Sequence, residues 1–189
     1  MSFFPLIHLF YWLALATWYG GVVFIVLCAQ VIQRTVRESD PTLPTVLSVN
    51  LEGQHATLLA GSIVANILVL LVKIEMICAG VLLITMVGQW ILLGGSHLPL
   101  SIIRTCLYIA AVAVVFYDWR FVSPRVFRFR KQYIDHADEP EIANPAREQF
   151  DRYHRESITV LMILWLLLSG LVLFSTMIST ERSLVLFHS

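Results

Sequence analysis

The chain has 189 residues, 58% of them hydrophobic and 14% charged, and its 13 Lys/Arg balance 13 Asp/Glu. A soluble domain of this length carries about 25% charged residues, and here the apolar residues fall in long uninterrupted runs, which excludes an ordinary water-soluble domain. Zero net charge gives no indication of a nucleic-acid partner, so the distribution of charge carries the reading.

The N-terminal Met1–Pro5 lacks a basic n-region, and the apolar run behind it is too long for a signal-peptide core, so the expectation is a retained first helix. That run, Leu6 to Ile32, contains no charge. Its 27 residues would span about 40 Å as a helix, enough to cross a bilayer with tilt. Ala16 with Gly20-Gly21 forms a small-xxx-small notch, which predicts close helix packing.

Leu58–Val72 is apolar, Lys73-Ile74-Glu75 interrupts it, and Met76–Gly94 is apolar again. Two further runs, Pro99–Tyr117 and Ile158–Ile178, are long enough to span about 30 Å of hydrocarbon. Arg104, one turn inside the third run, is expected to snorkel to the nearer interface. Cys28, Cys78 and Cys106 sit inside apolar runs and read as small hydrophobes.

Counting Leu58–Val72 as a span gives five helices, and counting it as embedded gives four. Basic residues decide between them. The segment 118–157 holds Arg120, Arg125, Arg128, Arg130, Lys131, Arg147, Arg152 and Arg155, and the loop after the first run holds Arg34 and Arg37. Four spans put both basic stretches on one side, with both termini on the other; five would split them. The predicted fold is therefore an all-α integral membrane bundle of four transmembrane helices (6–32, 76–94, 99–117, 158–178) plus an embedded or interfacial helix over 56–72. Gly61, Ser62 and Asn66 suit that extra helix to packing on protein. One straight helix through both stretches would be about 58 Å long and would need a break or an extension beyond the membrane.

Within the basic segment, Arg120–Tyr133 continues the third helix out of the membrane, and His136–Glu141 forms an acidic turn. Asn144-Pro145 reads as N-cap and first position of the last helix. Asp118, Asp135, Asp138, Glu139, Glu141, Glu148, Asp151 and Glu156 match the basic residues in number, which predicts local pairing.

Three clusters are candidates for chemistry. Arg120 and Arg125, around Ser123-Pro124, suit either an interface anchor or an anion pocket, since arginine forks match phosphate and carboxylate. Arg152, His154 and Ser157 open the last helix, where the stripe Phe150, His154, Ser157, Leu161, Trp165 is expected to face the bundle. Glu75, with Lys73, either marks the interface or turns inward to pair with Arg120, Arg125 or Arg152. On this topology His8 and His97 lie outside and His55, His136 and His154 inside, so no bis-histidine site joins His8 to His154. His8 with His97 remains open as a haem or copper pair. No metalloprotease, P-loop, nucleophile-elbow or dinucleotide motif is present.

His8 and Trp18-Tyr19-Gly20-Gly21 in helix 1, Arg120-Phe121-Val122-Ser123-Pro124-Arg125 after helix 3, and Arg147-Glu148-Gln149-Phe150-Asp151-Arg152-Tyr153-His154 with Ser157 at the last helix occur in this order. Together they resemble the transmembrane protein 205-like family (domain of unknown function 4149), over about residues 8 to 176. The apolar Leu58–Val72 departs from that family, whose corresponding region is shorter and more polar. The resemblance implies a small four-helix membrane protein without an established catalytic activity, some of whose animal members are associated with platinum-drug resistance. A weaker similarity, in a first helix with histidine and tryptophan-glycine, is to families that include copper-resistance proteins and the haem-linked protoporphyrinogen oxidase.

The expectation is thus a non-enzymatic inner-membrane protein, with no cofactor, that binds an anionic lipid, a small solute or a partner at Arg120, Arg125, Arg152, His154, Ser157 and Glu75. The alternatives are a haem or copper redox protein and a structural subunit of a homo-oligomer or membrane complex.

Overall fold

A computed structural model describes residues 4–39, 55–93 and 98–187. The fold is all-α: α1 Phe4–Glu38, α2 His55–Leu93, α3 Leu98–Tyr117, a π-helical segment Asp118–Val122, α4 Ser123–Asp135 and α5 Pro140–Phe187. Four stretches are long and apolar enough to cross a membrane: Phe4–Glu38, His55–Leu92, Pro99–Asp135 and Pro140–Ser179. No strand occurs among the described residues.

The side chains that stay uncovered identify the solvent. Ile77, Ile84 and Ile91 are two-thirds or more exposed on α2, and Phe24, Leu27 and Val31 are comparably exposed on α1. Seven-residue spacing puts the isoleucines on one continuous helix face. In water such apolar faces would drive association, whereas in hydrocarbon they need no cover.

The embedded or interfacial helix expected over 56–72 runs into the second span without a break. Residues 55–93 form one helix of 39 residues. Lys73, Ile74 and Glu75 all have adequate helix propensity, and no proline interrupts α2. The two charges are accommodated by orientation, Lys73 being exposed and Glu75 buried.

The start of the last helix differs from expectation. It begins at Pro140, not at Asn144-Pro145, and Pro145 lies inside it. The amides of Ile142 and Ala143 already donate to the Glu139 carbonyl, at 2.9 Å each, so the first turn closes before Asn144. Pro145 then withholds only its own bond to the Glu141 carbonyl, at an exposed residue where water can replace it.

The chain divides into two compact units. One comprises the described residues of Met1–Gly21, Lys73–Val115 and Met162–Ser189, and the other those of Val22–Val72 and Phe116–Leu161. In the first, the buried positions of α5 are Leu164, Leu168, Leu171, Ser175 and Ile178, at helical spacings of four and three. Helices approach closely at Gly88, where an added Cβ would meet Ile7 Cδ1 at 3.3 Å, and at Gly170, where it would meet Leu107 Cδ1 at 3.3 Å. Among the described residues the notch expected on helix 1 makes no such contact: an added Cβ at Gly20 would meet none of them within 4 Å, and Ala16 is exposed. In the second unit, Leu58, Tyr133, Ala137, Ala143 and Ala146 form a core packed by Ile134.

Candidate functional site

The arginine-proline element falls on the π segment. Pro124 has no amide hydrogen, and in a regular α-helix its ring would press on the carbonyl four residues back. Widening the turn before it relieves that clash, and the Ser123 amide accordingly reaches back to the Asp118 carbonyl. Ser123 Oγ donates to Asp118 Oδ2 at 2.7 Å, while Asp118 Oδ1 is buried with no donor among the described residues. Such π segments frequently occur at functional sites, because they re-aim side chains that a regular helix would hold in register.

The two motif-bearing stretches meet in this second unit. Tyr153 stacks on Phe129, with ring centroids 5.6 Å apart and planes 6° from parallel, and the Arg125 guanidinium lies 5.4 Å from the Tyr153 centroid. The Tyr117 hydroxyl donates to Glu156 Oε1 at 2.6 Å. Arg120 sits over Phe121 at 5.7 Å, Arg128 over Phe129 at 5.7 Å and Arg147 over Tyr133 at 5.9 Å. Arg120, Arg125 and Arg152 are all exposed, and among the described residues none of them forms an ion pair with a carboxylate. Of the local charge pairing expected for this segment, His136 lies against Glu139 at 3.3 Å.

One sequence-predicted placement is corrected. The stripe through His154 and Trp165 does not face the interior: both are exposed, and His154 stacks on its own helical neighbour Phe150 at 5.6 Å. The covered side of this part of α5 runs instead through Ala143, Ala146, the half-buried Tyr153 and Ser157, and the buried Val160. Ser157 is common to the expected and the observed stripe, so the difference is a rotation of less than the 100° of one residue. Glu75 does turn inward, at 3% exposure, but it belongs to the first unit, whereas Arg120, Arg125, Arg152, His154 and Ser157 belong to the second.

Sequence reasoning missed two other arginines. Arg130 Nη2 donates to the Leu58 carbonyl at 2.8 Å and to Ser62 Oγ at 2.7 Å, and its guanidinium lies 3.7 Å from where a Gly61 Cβ would be. The expectation that Gly61 and Ser62 pack on protein holds through this contact, while Asn66 is exposed. Arg104 does not snorkel. It is 3% exposed in the first unit, donates from Nη1 to Gln89 Oε1 at 2.9 Å and lies 5.3 Å from the Tyr11 ring centroid. The signal was available: Gln89 and Arg104 are polar residues inside apolar runs, where such side chains face protein and mark function.

Trp12 Nε1 donates to His8 Nε2 at 3.0 Å, which occupies one of the two ring nitrogens a metal would use. His97 lies outside the described residues. Among the described residues no group of three or more His, Cys, Asp or Glu side chains could hold a metal ion. No family profile, curated protein or solved structure matches this chain.

Proposed function

We propose that this chain is a non-enzymatic membrane protein of the transmembrane protein 205-like kind, and that Arg120, Arg125 and Arg152 bind anionic lipid headgroups at the cytoplasmic interface. The observation that carries the reading is the state of these arginines. They are exposed, unpaired with carboxylates among the described residues, and two of them rest on aromatic rings, Arg120 on Phe121 and Arg125 on Tyr153. An aromatic floor limits side-chain freedom while leaving the guanidinium edges open for a phosphate, the group they match as a fork. The basic segment following the third apolar run, together with the basic-residue count, supports its assignment to the inner side with both termini outside. His154, also exposed, flanks this surface, Ser157 lies on the covered side of α5, and Glu75, buried in the first unit, forms no part of this proposal.

The test is lipid retention by the purified protein in mixed phosphatidylglycerol and phosphatidylcholine micelles, read by native mass spectrometry. Each basic residue near an anionic surface contributes about 1 kcal/mol. The Arg120→Gln/Arg125→Gln/Arg152→Gln protein should therefore retain phosphatidylglycerol at least tenfold more weakly, with phosphatidylcholine unchanged. Equal retention by both proteins would end the proposal.

The haem or copper reading gains nothing from His8, whose Nε2 already accepts a hydrogen bond. The structural-subunit reading has one point in its favour, the Ala16–Gly20 notch, which is unfilled at Gly20 by any of the described residues.

A further inference from the structure

Arg104 is the seventh residue of α3, about 9 Å along the axis from its start. Its guanidinium is buried in the first unit against Gln89, itself 2% exposed, and against the ring of Tyr11. The hydroxyl of Tyr11 is already engaged. Ser175 Oγ donates to the Leu171 carbonyl at 2.6 Å, so it accepts from the Tyr11 hydroxyl with which it is hydrogen-bonded. Two donors are left over, and they belong to one hydrogen-bonded pair. Arg104 Nε and Gln89 Nε2 are both buried with no acceptor among the described residues.

The charge is equally uncompensated. In this unit the one carboxylate whose side chain is described is Glu75, which precedes Gln89 on α2 by fourteen residues (89 − 75), about 21 Å of helix. A guanidinium cannot shed its proton to become neutral as a buried lysine can. Buried among apolar helices, it needs an anion.

We propose that Arg104 and Gln89 form a binding site for a monovalent oxyanion, with a carboxylate as the closest match. One negative charge neutralises Arg104, and two oxygens supply the acceptors that Arg104 Nε and Gln89 Nε2 lack. Gln89 is then a selectivity element as well as a prop. Its amide oxygen orients the guanidinium through Nη1, and its amide nitrogen offers the anion a neutral donor. A second carboxylate at this position would pair with Arg104 directly and displace the ligand. The site is independent of the lipid-binding arginines, which lie in the other unit.

Thermal unfolding of the full chain in neutral maltoside detergent tests this. Sodium formate is titrated against sodium chloride at constant ionic strength, and a parallel series adds oleate to the micelles. Wild-type protein should gain a few degrees in Tm, saturably, as expected for a ligand that binds the folded state alone. A response to formate identifies a soluble carboxylate as sufficient, and a response to oleate alone identifies a lipid-borne one. Arg104→Met should lose either response. Gln89→Glu, which keeps the side-chain shape, should unfold at a higher temperature than wild type in chloride and show no further rise. A wild-type protein indifferent to both formate and oleate, or a Gln89→Glu protein that still responds fully, would overturn the proposal.

Discussion

Arg130 donates to Ser62 across 68 residues of sequence, 2.7 Å from Nη2 to Oγ, and the same nitrogen reaches the Leu58 carbonyl at 2.8 Å. Ser62 Oγ itself donates to that carbonyl at 2.9 Å, so one guanidinium closes a three-membered polar ring at the first turns of α2. The helix pair it ties shares the small core of Leu58, Tyr133 and three alanines. With so little apolar volume there, a charge-assisted hydrogen bond matters more than it would in a large core.

Arg130→Ala should therefore destabilise the protein by about 1–2 kcal/mol, a figure reduced because the side chain is only half-buried. Arg128→Ala, which removes an exposed neighbour, should stay within about 0.5 kcal/mol of wild type. Denaturation in mixed micelles measures both. If the two variants are equally stable, the Arg130 contacts contribute nothing.

Tyr153 and His154 are adjacent in sequence but not in environment. Tyr153 is half-buried and stacked on Phe129, whereas His154 is exposed. Tyr153→Ala should cost about 2 kcal/mol, combining lost apolar burial with a stacked aromatic pair. His154→Ala should lie within about 0.5 kcal/mol of wild type. The reverse order would restore the helical phase read from the sequence.

What the sequence made legible follows from which interactions are local. The four apolar helices and the basic segment are readable because hydropathy and charge are summed over many residues, so single errors average out. Helical phase is not readable in this way. When hydrocarbon surrounds a helix, the lipid-facing side is as apolar as the packed side, and Ile84 at 73% exposure looks no different from Leu82 at 0%. For this reason the hydropathy pattern does not separate His154 from Tyr153 as the inward-facing residue. The fate of a lone charge is unreadable for another reason: Arg104 could snorkel or find a partner, and Gln89, its partner, is fifteen residues away across a helical hairpin. The π segment was hidden as well, although Pro124 is its visible cause.

Asp118 is expected to respond oddly to neutralisation. One carboxylate oxygen accepts from Ser123 and the other is buried with no donor among the described residues, so the negative charge is poorly compensated. Asp118→Asn keeps the acceptor for Ser123 and removes the charge, and it should raise stability by about 1 kcal/mol. Ser123→Ala in the same background should lower it by about 1 kcal/mol. A loss on Asp118→Asn would mean that the charge itself holds the π segment together.

The continuity of α2 across Lys73-Ile74-Glu75 admits a direct test. Lys73 is exposed, so Lys73→Ala removes little packing and, alanine being the best helix former, should leave stability within about 0.5 kcal/mol. Lys73→Pro removes one backbone hydrogen bond and sets its ring against the carbonyl of Val69. Within an unbroken helix this costs about 3 kcal/mol or more. If 56–72 were instead a separate element joined at this point, proline would sit in a connection and the cost would fall below about 1 kcal/mol. Denaturation of the two variants side by side separates these outcomes. The proline variant should also speed amide hydrogen exchange in the turn from Val69 to Lys73, because the carbonyl left without its donor loosens that turn first. A stable proline variant with unchanged exchange would show that the helix is interrupted where the charges are.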